Sequence, residues 1–316
     1  MKTIQTVLGK IAPEELGFCH SHEHIMLAEG VPFTIDSALC ADNYDKSLQE
    51  LELLKSVGGR ALVDAQPIGA GRMSAELVKL SAASGVHIVA STGFHRADFY
   101  NKGHWVSTWD EARIAELFVH EITVGMFTNT EDALPRNFHD AKAGQIKVAY
   151  TTAGLDAHFT RLFTAAAKAC VKTGAPMMIH IDNGMNPLVL DYFLDDHDVP
   201  PQKRIYCHLD RAVADFDIHL ELCKHGCYME YDTIGRPKYH DDVAEIAIIQ
   251  QMLDAGYVNN ILLGLDTTNK RLKAYGGDIG LDYIVKTFMP AMEASGIGRD
   301  TINAFMVDNP AQAFAF

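Results

Sequence analysis

LGFCHSH, residues 16–22, is a short apolar run that ends on histidine and is followed at once by Glu23 and His24. Seven further runs of similar length and character come after it: ALVDAQ (61–66), HIVASTG (87–93), GQIKVAY (144–150), PMMIHI (176–181), RIYCHL (204–209), CYMEYD (227–232) and ILLGLD (261–266). Between them lie polar loops and helix-period stretches such as DEARIAELFVHEITVGM (110–126) and LFTAAAKACVKTG (162–174). The second of these ends at Gly174, which tolerates the left-handed turn that closes a helix. Strands that alternate with helices pair in parallel through crossover helices. Eight such units predict an α/β fold, a (β/α)8 TIM barrel, as one domain over residues 1–316, with a short N-terminal strand or hairpin over 1–11. A doubly wound open sheet is the competing architecture, but no GxGxxG follows the first strand to support it.

Composition narrows the range of functions. Hydrophobic residues make up 48% and charged residues 22% of the 316, enough apolar mass for a full core, which excludes disorder and disulfide-built miniproteins. Lys plus Arg number 27 against 41 Asp plus Glu, a net charge of −14 that repels nucleic-acid backbones and anionic lipid. No apolar run of about 18 residues is present to span a bilayer, and MKTIQTVLGK lacks the apolar stretch of a signal peptide. The six cysteines (19, 40, 170, 207, 223, 227) are scattered, so reduced thiols in a cytoplasmic protein are expected. Cys223 and Cys227 are four apart, but no second close pair completes a zinc site, and they read as small buried residues.

Histidine is the unusual residue. There are fifteen, and several close the apolar runs, where the loops of a barrel build its active site. Side chains alternate along a strand, so His22 and His24 face one side. The fourth run carries Lys147 among apolar neighbours, the fifth ends in His180, the sixth in His208 and the eighth in Asp266. Singly, each has an ordinary reading: a hydrogen-bonded histidine, or an aspartate capping the next helix. A buried unpaired ammonium at Lys147 is costly. Six such residues converging from five strand ends predict a metal site.

The segments GFCHSHEHI (17–25), AGQIKVAYTTAG (143–154), PMMIHI, CHLD (207–210), YDTIG (231–235), ILLGLD and VDNPAQAF (307–314) together resemble the phosphotriesterase family of the amidohydrolase superfamily, nearly end to end. The resemblance implies a metal-dependent hydrolase with two divalent cations, zinc by preference, with manganese or cobalt also suited to the ligands. It assigns His22, His24 and Asp266 to a buried cation and His180 and His208 to a more exposed one. Lys147 would be an N6-carboxylysine bridging both, and Asp266 would also take the proton from a bridging hydroxide. The phosphotriesterases proper carry a histidine just after the seventh strand; Thr233 stands there in this chain, and YDTIG resembles the phosphotriesterase homology and lactonase branch instead. Barrels of this family are often dimeric, so a homodimer is expected.

The loops after runs seven and eight, GRPKY (235–239) and TTNKRLK (267–273), hold Arg236, Lys238, Lys270, Arg271 and Lys273, with Tyr239 and Tyr275 beside them. Five basic residues in twelve positions of an acidic chain suggest a phosphate site, the usual role of these loops in barrels. Lys238, Arg271 and Tyr275 are the expected phosphate contacts, with Arg236 beside them. The third loop, GFHRADFYNKGHW (93–105), should overhang the mouth and offer His95, Arg96 and His104. The expected function is a lactonase opening a phosphorylated five-carbon 1,4-lactone. The alternatives are an acyl-homoserine lactonase or phosphotriesterase, and, outside enzymes, a non-catalytic ligand-binding protein.

Overall fold

Each of the eight runs forms a parallel strand in the computed structural model, which describes residues 2–128, 130 and 134–316. The barrel strands are Cys19–Glu23, Ala61–Asp64, a third strand broken at Ala90 into His87–Val89 and Ser91–Gly93, then Gln145–Tyr150, Met177–Ile181, Arg204–Cys207, Tyr228–Tyr231 and Ile261–Leu263. The break at Ala90 divides the pairing. His87–Val89 pairs with the second strand, whereas Ser91–Gly93 pairs with the fourth. The eighth strand returns to the first through Asp266 N–H donating to the His22 carbonyl at 3.0 Å. Gly264 allows that approach, because a Cβ there would lie 2.9 Å from the His22 Cβ. The fold is therefore a (β/α)8 barrel. Its N-terminal hairpin, Ile4–Thr6 with Gly9–Ile11, ties to the third strand through Val7 and to the chain end at Phe316.

Two cores follow from strand alternation. Ile146, Val148, Ile179, Tyr206, Met229, Leu263 and their like point outward and pack beneath the helices. Cys19, Val63, Val89, Met178, Ile205, Cys207 and Leu262 fill the barrel interior with Phe314. Lys147, His180, Glu230 and Asp232 fall on the inward register of the same strands, so they are polar residues on an apolar wall.

The helices start where aspartate or asparagine can accept an orphan N–H: Asn43, Asp110, Asp156, Asn186, Asp215 and Asp241 cap Tyr44–Ser56, Glu111–Thr123, Ala157–Thr173, Pro187–Asp195, Phe216–His225 and Asp242–Asp254. Gly174 ends Ala157–Thr173 at φ +78°, as its sequence position predicts. That helix begins five residues before the apolar run at 162, because the Asp156 cap sets its start. The antiparallel pair Met126–Phe127 and Phe138–His139 is too short to show a period in sequence. All six cysteines are free, and Cys223 and Cys227 are buried. Among the described residues no helix is long and apolar enough to cross a membrane.

Candidate metal centre

At the carboxyl end of the barrel, His22, His24, Lys147, His180, His208 and Asp266 line one cavity of about 330 Å3. The rings of His22 and His24 lie 5.6 Å apart, those of His22 and His208 5.0 Å, and those of His180 and His208 4.6 Å. His24 Nε2 and His22 Nε2 stand 3.4 and 3.7 Å from Asp266 Oδ1.

Backbone strain helps to aim two of these groups. His208 and Asp266 have φ of +63° and +47°, a region that L residues with a Cβ rarely occupy. Such conformations persist only where surrounding contacts hold them, and they cluster at working sites. Glu23, the residue between the two histidines of the first strand, supplies part of that hold. Its carboxylate accepts the N–H of Leu265 and both the N–H and the hydroxyl of Thr267.

Three of the histidines have one ring nitrogen fixed by a carboxylate. His22 Nδ1 meets Glu230 Oε2 at 2.7 Å, His208 Nδ1 meets Asp232 Oδ1 at 2.7 Å, and His180 Nε2 meets Asp182 Oδ1 at 2.9 Å. A carboxylate on one nitrogen sets the tautomer and leaves the other nitrogen's lone pair for a cation. Burial holds His22, His208 and His180 below the usual imidazole range, which favours the neutral, ligating form. Burial alone would raise Asp266, but the Arg236 and Arg211 guanidiniums outweigh it and hold the carboxyl well below its ordinary value.

The donor set fits a divalent cation. The ligating atoms of His22, His24 and Asp266 lie within 4.8 Å of one another. Lys147 is fully buried, with His22 Nε2 at 3.3 Å and Cys207 Sγ at 3.9 Å from its Nζ; among the described residues it makes no direct ion pair, although the buried Glu230 carboxyl is near enough to feel its charge. Burial pushes the Cys207 thiol well up, so it offers no counter-charge.

The basic residues expected at the mouth divide. Arg236 and His95 line the cavity, His95 with its ring 5.1 Å from that of His180. Lys238 is exposed on the outer loop, 5.3 Å from the Tyr239 ring. Arg271 is buried outside the cavity lining, and its guanidinium donates to the carbonyls of Leu265, Asp266 and Ile234. Tyr275 is likewise placed elsewhere: its hydroxyl bonds Ser47 Oγ at 2.8 Å and the backbone of Asn43. Arg96 reaches the cavity and pairs with Asp98 and Asp182. His104 faces the Thr130 carbonyl instead. Thr233 is buried beyond the seventh strand, its N–H donating to Asp210.

Two groups of residues escaped the sequence reading. Glu230 and Asp232 sit at alternate positions of an apolar strand, a pattern visible in YMEYD that signals carboxylates facing inward together. Arg211 follows His208 by three residues. It is partly buried, bonds Asp266 Oδ2 at 2.9 Å and lines the cavity, and only the turn after the sixth strand brings it there.

A (β/α)8 barrel with imidazole and carboxylate donors gathered at its carboxyl mouth has the layout of a metal-assisted hydrolase. The phosphotriesterase family model matches residues 2–314, and the chain belongs to that family. Among curated proteins it is 27% identical to a phospho-furanose lactonase of Mycoplasmopsis synoviae, over all of this chain and 92% of the relative. It is 29% identical to the phosphotriesterase homology protein of Escherichia coli, over 96% of this chain and 98% of the relative. A solved lactonase from Listeria monocytogenes superposes with a TM-score of 0.89 at 28% identity, covering 99% of this chain and 98% of that one.

Proposed function

We propose that the protein is a binuclear-metal lactonase that opens a small phosphorylated sugar lactone, with residues 1–316 forming one catalytic domain. The observation that carries this reading is the convergence of His22, His24, Asp266, His180, His208 and the buried Lys147 on one small cavity with Arg96, Arg211 and Arg236 in its walls. His22, His24 and Asp266 would hold the inner cation, and His180 and His208 the outer one. Lys147, once carboxylated, would offer them an anionic ligand in place of a costly buried ammonium. Zinc suits the imidazole-rich set, and manganese or cobalt also fits. When bound, such cations lower the pKa of water and polarise a carbonyl.

The chain's own residues do the rest. Glu230, Asp232 and Asp182 hold three imidazoles in one tautomer and orientation. Asp266 takes the proton released as water adds to the lactone carbonyl. The ring C–O bond then breaks, and the proton passes from Asp266 to the departing ring oxygen to give the hydroxy acid. Arg96, Arg211 and Arg236 make the cavity attractive to an anion although the whole chain is acidic. Support for the phosphate comes from two relatives: the phospho-furanose lactonase, and the Escherichia coli phosphotriesterase homology protein, whose structure (27% identical, TM-score 0.83, covering 95% of this chain and 99% of that one) carries phosphate in its active site. The free cysteines fit a cytoplasmic setting. A homodimer is part of the proposal.

A second reading is favoured by relatives named N-acetyltaurine hydrolase, 26% identical for that of Pongo abelii over 99% of this chain and 98% of the relative. N-acetyltaurine also sets a carbonyl a few bonds from a compact oxyanion, here a sulfonate. The test is to load the protein with zinc or manganese in bicarbonate and follow acid release from five-carbon lactones with and without a 5-phosphate. N-acetyltaurine, an acyl-homoserine lactone and a phosphotriester complete the panel. Preference for the phosphorylated lactones upholds the proposal; preference for another member replaces the substrate. Tight binding with no turnover by metal-loaded protein would leave a ligand-binding protein.

A further inference from the structure

Outside the cavity lining, three metal-ligating side chains meet from three parts of the chain: Asp210 after the sixth strand, His240 after the seventh, and Glu245 in the first turn of Asp242–Asp254. Their ligating atoms lie within 4.8 Å of one another, with Asp210 and Glu245 buried and His240 partly exposed. His240 Nδ1 meets the Asp241 carbonyl at 3.2 Å, and a carbonyl can only accept, so Nδ1 carries the hydrogen. Nε2 of the neutral ring is then a bare lone pair, and it faces Glu245 Oε2 at 3.2 Å. Two acceptors repel unless a positive charge lies between them. Among the described residues His240 Nε2 and both Glu245 oxygens are buried without a hydrogen-bond partner. We propose that Asp210, His240 and Glu245 form a separate site for one divalent cation, zinc or manganese, outside the cavity.

Charge and geometry both favour a metal there. Apart from His240, the charged groups that face Glu245 are the carboxyls of Asp210, Asp232 and Asp242. Asp232 is engaged by His208, and Asp242 by the Gly235 N–H and the Tyr283 hydroxyl. A buried carboxylate so placed is costly without a counter-charge. Two ligands about 2.1 Å from a zinc ion at a tetrahedral angle stand about 3.4 Å apart, close to the 3.2 Å between His240 Nε2 and Glu245 Oε2. The fixed Nδ1 hydrogen leaves Nε2 in the ligating form, and one imidazole with two carboxylates suits zinc or manganese. Asp210 is already a rigid ligand, because its Oδ2 accepts the N–H groups of Asp232 and Thr233 at 3.1 and 2.7 Å. A cation at this point ties the loops after the sixth and seventh strands to the helix that follows them. It also steadies Asp232, the carboxylate that orients His208, so its role is positional and is the same whatever reaction the cavity performs. The competing arrangement is a proton in the same place, held between the carboxyls or on His240.

The test counts zinc. The full chain is loaded with zinc in bicarbonate, dialysed against zinc-free buffer and assayed for metal per chain by elemental analysis. Wild type, Glu245→Gln and His240→Gln are compared, and His240→Gln is also added to a His22→Asn, His24→Asn background that disables the cavity. Each Glu245 or His240 substitution should remove one zinc per chain, in the disabled background as well as in wild type. Zinc should raise the Tm of the disabled background by about 5 °C, and adding His240→Gln should abolish the rise. Because that background lacks two cavity ligands, the outcome there is separate from the binuclear reading. Equal zinc in wild type and His240→Gln would overturn the proposal and leave the proton in its place. So would a zinc that dialysis removes, which marks an adventitious ion only. Should Glu245→Gln fail to fold, His240→Gln, at the partly exposed end of the cluster, decides alone.

Discussion

The loops after the seventh and eighth strands look alike as text, each with arginine, lysine and a nearby tyrosine, but they have opposite roles in the fold. Arg236 and Tyr239 of the seventh turn their polar and aromatic faces to the cavity. The eighth turns inward: Arg271 stitches its own carbonyls to that of Ile234, Lys273 holds Asp282, and Tyr275 closes on Ser47 and Asn43. The difference comes from orphaned carbonyls. Asp266 leaves its strand in a left-handed conformation, which strands the carbonyls of Leu265 and Asp266 without ladder partners, and a buried guanidinium satisfies them. A basic loop is thus a binding loop only when the backbone beside it has no need of its donors.

Substitutions can break or sharpen this contrast. The largest effect is expected at the residue both loops serve. Asp266→Asn should lower kcat by about a thousandfold or more, because on the proposed mechanism it removes ligand and proton acceptor together, read by initial rates at matched metal content. A variant with near-normal kcat would remove Asp266 from the chemistry.

Arg271→Met should act on the fold. Leaving buried carbonyls without donors costs about 2–4 kcal/mol, measured by urea unfolding, while the charged-to-neutral substrate ratio stays within about twofold. A selective loss on charged substrate with normal stability would reverse the roles assigned to the two loops.

A third test lies at the far end of the sixth strand, where Arg204, like Arg271, is buried for structure. Burial alone would raise Asp191, but hydrogen bonds from Arg204, His225 and Tyr206 outweigh it and hold the carboxyl below its usual range. A carboxyl depressed in the folded state stabilises it fully above the unfolded pKa, about 4, and loses that contribution as pH falls through the folded value. Asp191→Asn should therefore be less stable than wild type at pH 7, by about 2 kcal/mol. Unfolding curves should converge below about pH 4. A gap independent of pH would mean that packing, not charge, sets the loss.

The smallest effect belongs to Lys238. As an exposed point charge, Lys238→Ala should raise KM for phosphorylated lactone by about two- to fivefold at low salt, and the difference should shrink as salt is added. An effect that persists at high salt would bring Lys238 into direct contact with the substrate.

Much of the site was readable in the chain. Strand alternation puts Lys147 and His180 inside the barrel, and strand ends put His208 and Asp266 at its mouth; the same alternation holds for Glu230 and Asp232, which are missed because YMEYD reads only as an apolar strand. The eight runs were legible because a buried parallel strand is a nearly continuous apolar word, so a lysine or histidine within it stands out. Arg211 was not, since it lies on a four-residue helix too short to show a period and is placed by the left-handed His208 three residues earlier. Nor could the five basic residues of the last two loops be sorted, because their partners, such as Ile234, Asp282 and Asn43, are remote in sequence or set by backbone geometry.

Sequence by itself determined the barrel and which histidines, lysine and aspartate stand at its strand ends, because both depend on local period and on residue type at strand ends. Tertiary structure alone decided which carboxylate orients each histidine, that Gly264 lets the eighth strand meet His22, and that Arg211 and Arg236 converge on one oxygen of Asp266. Those are distances between groups far apart in the chain, and they exist only once the two cores have packed and the ring of strands has closed.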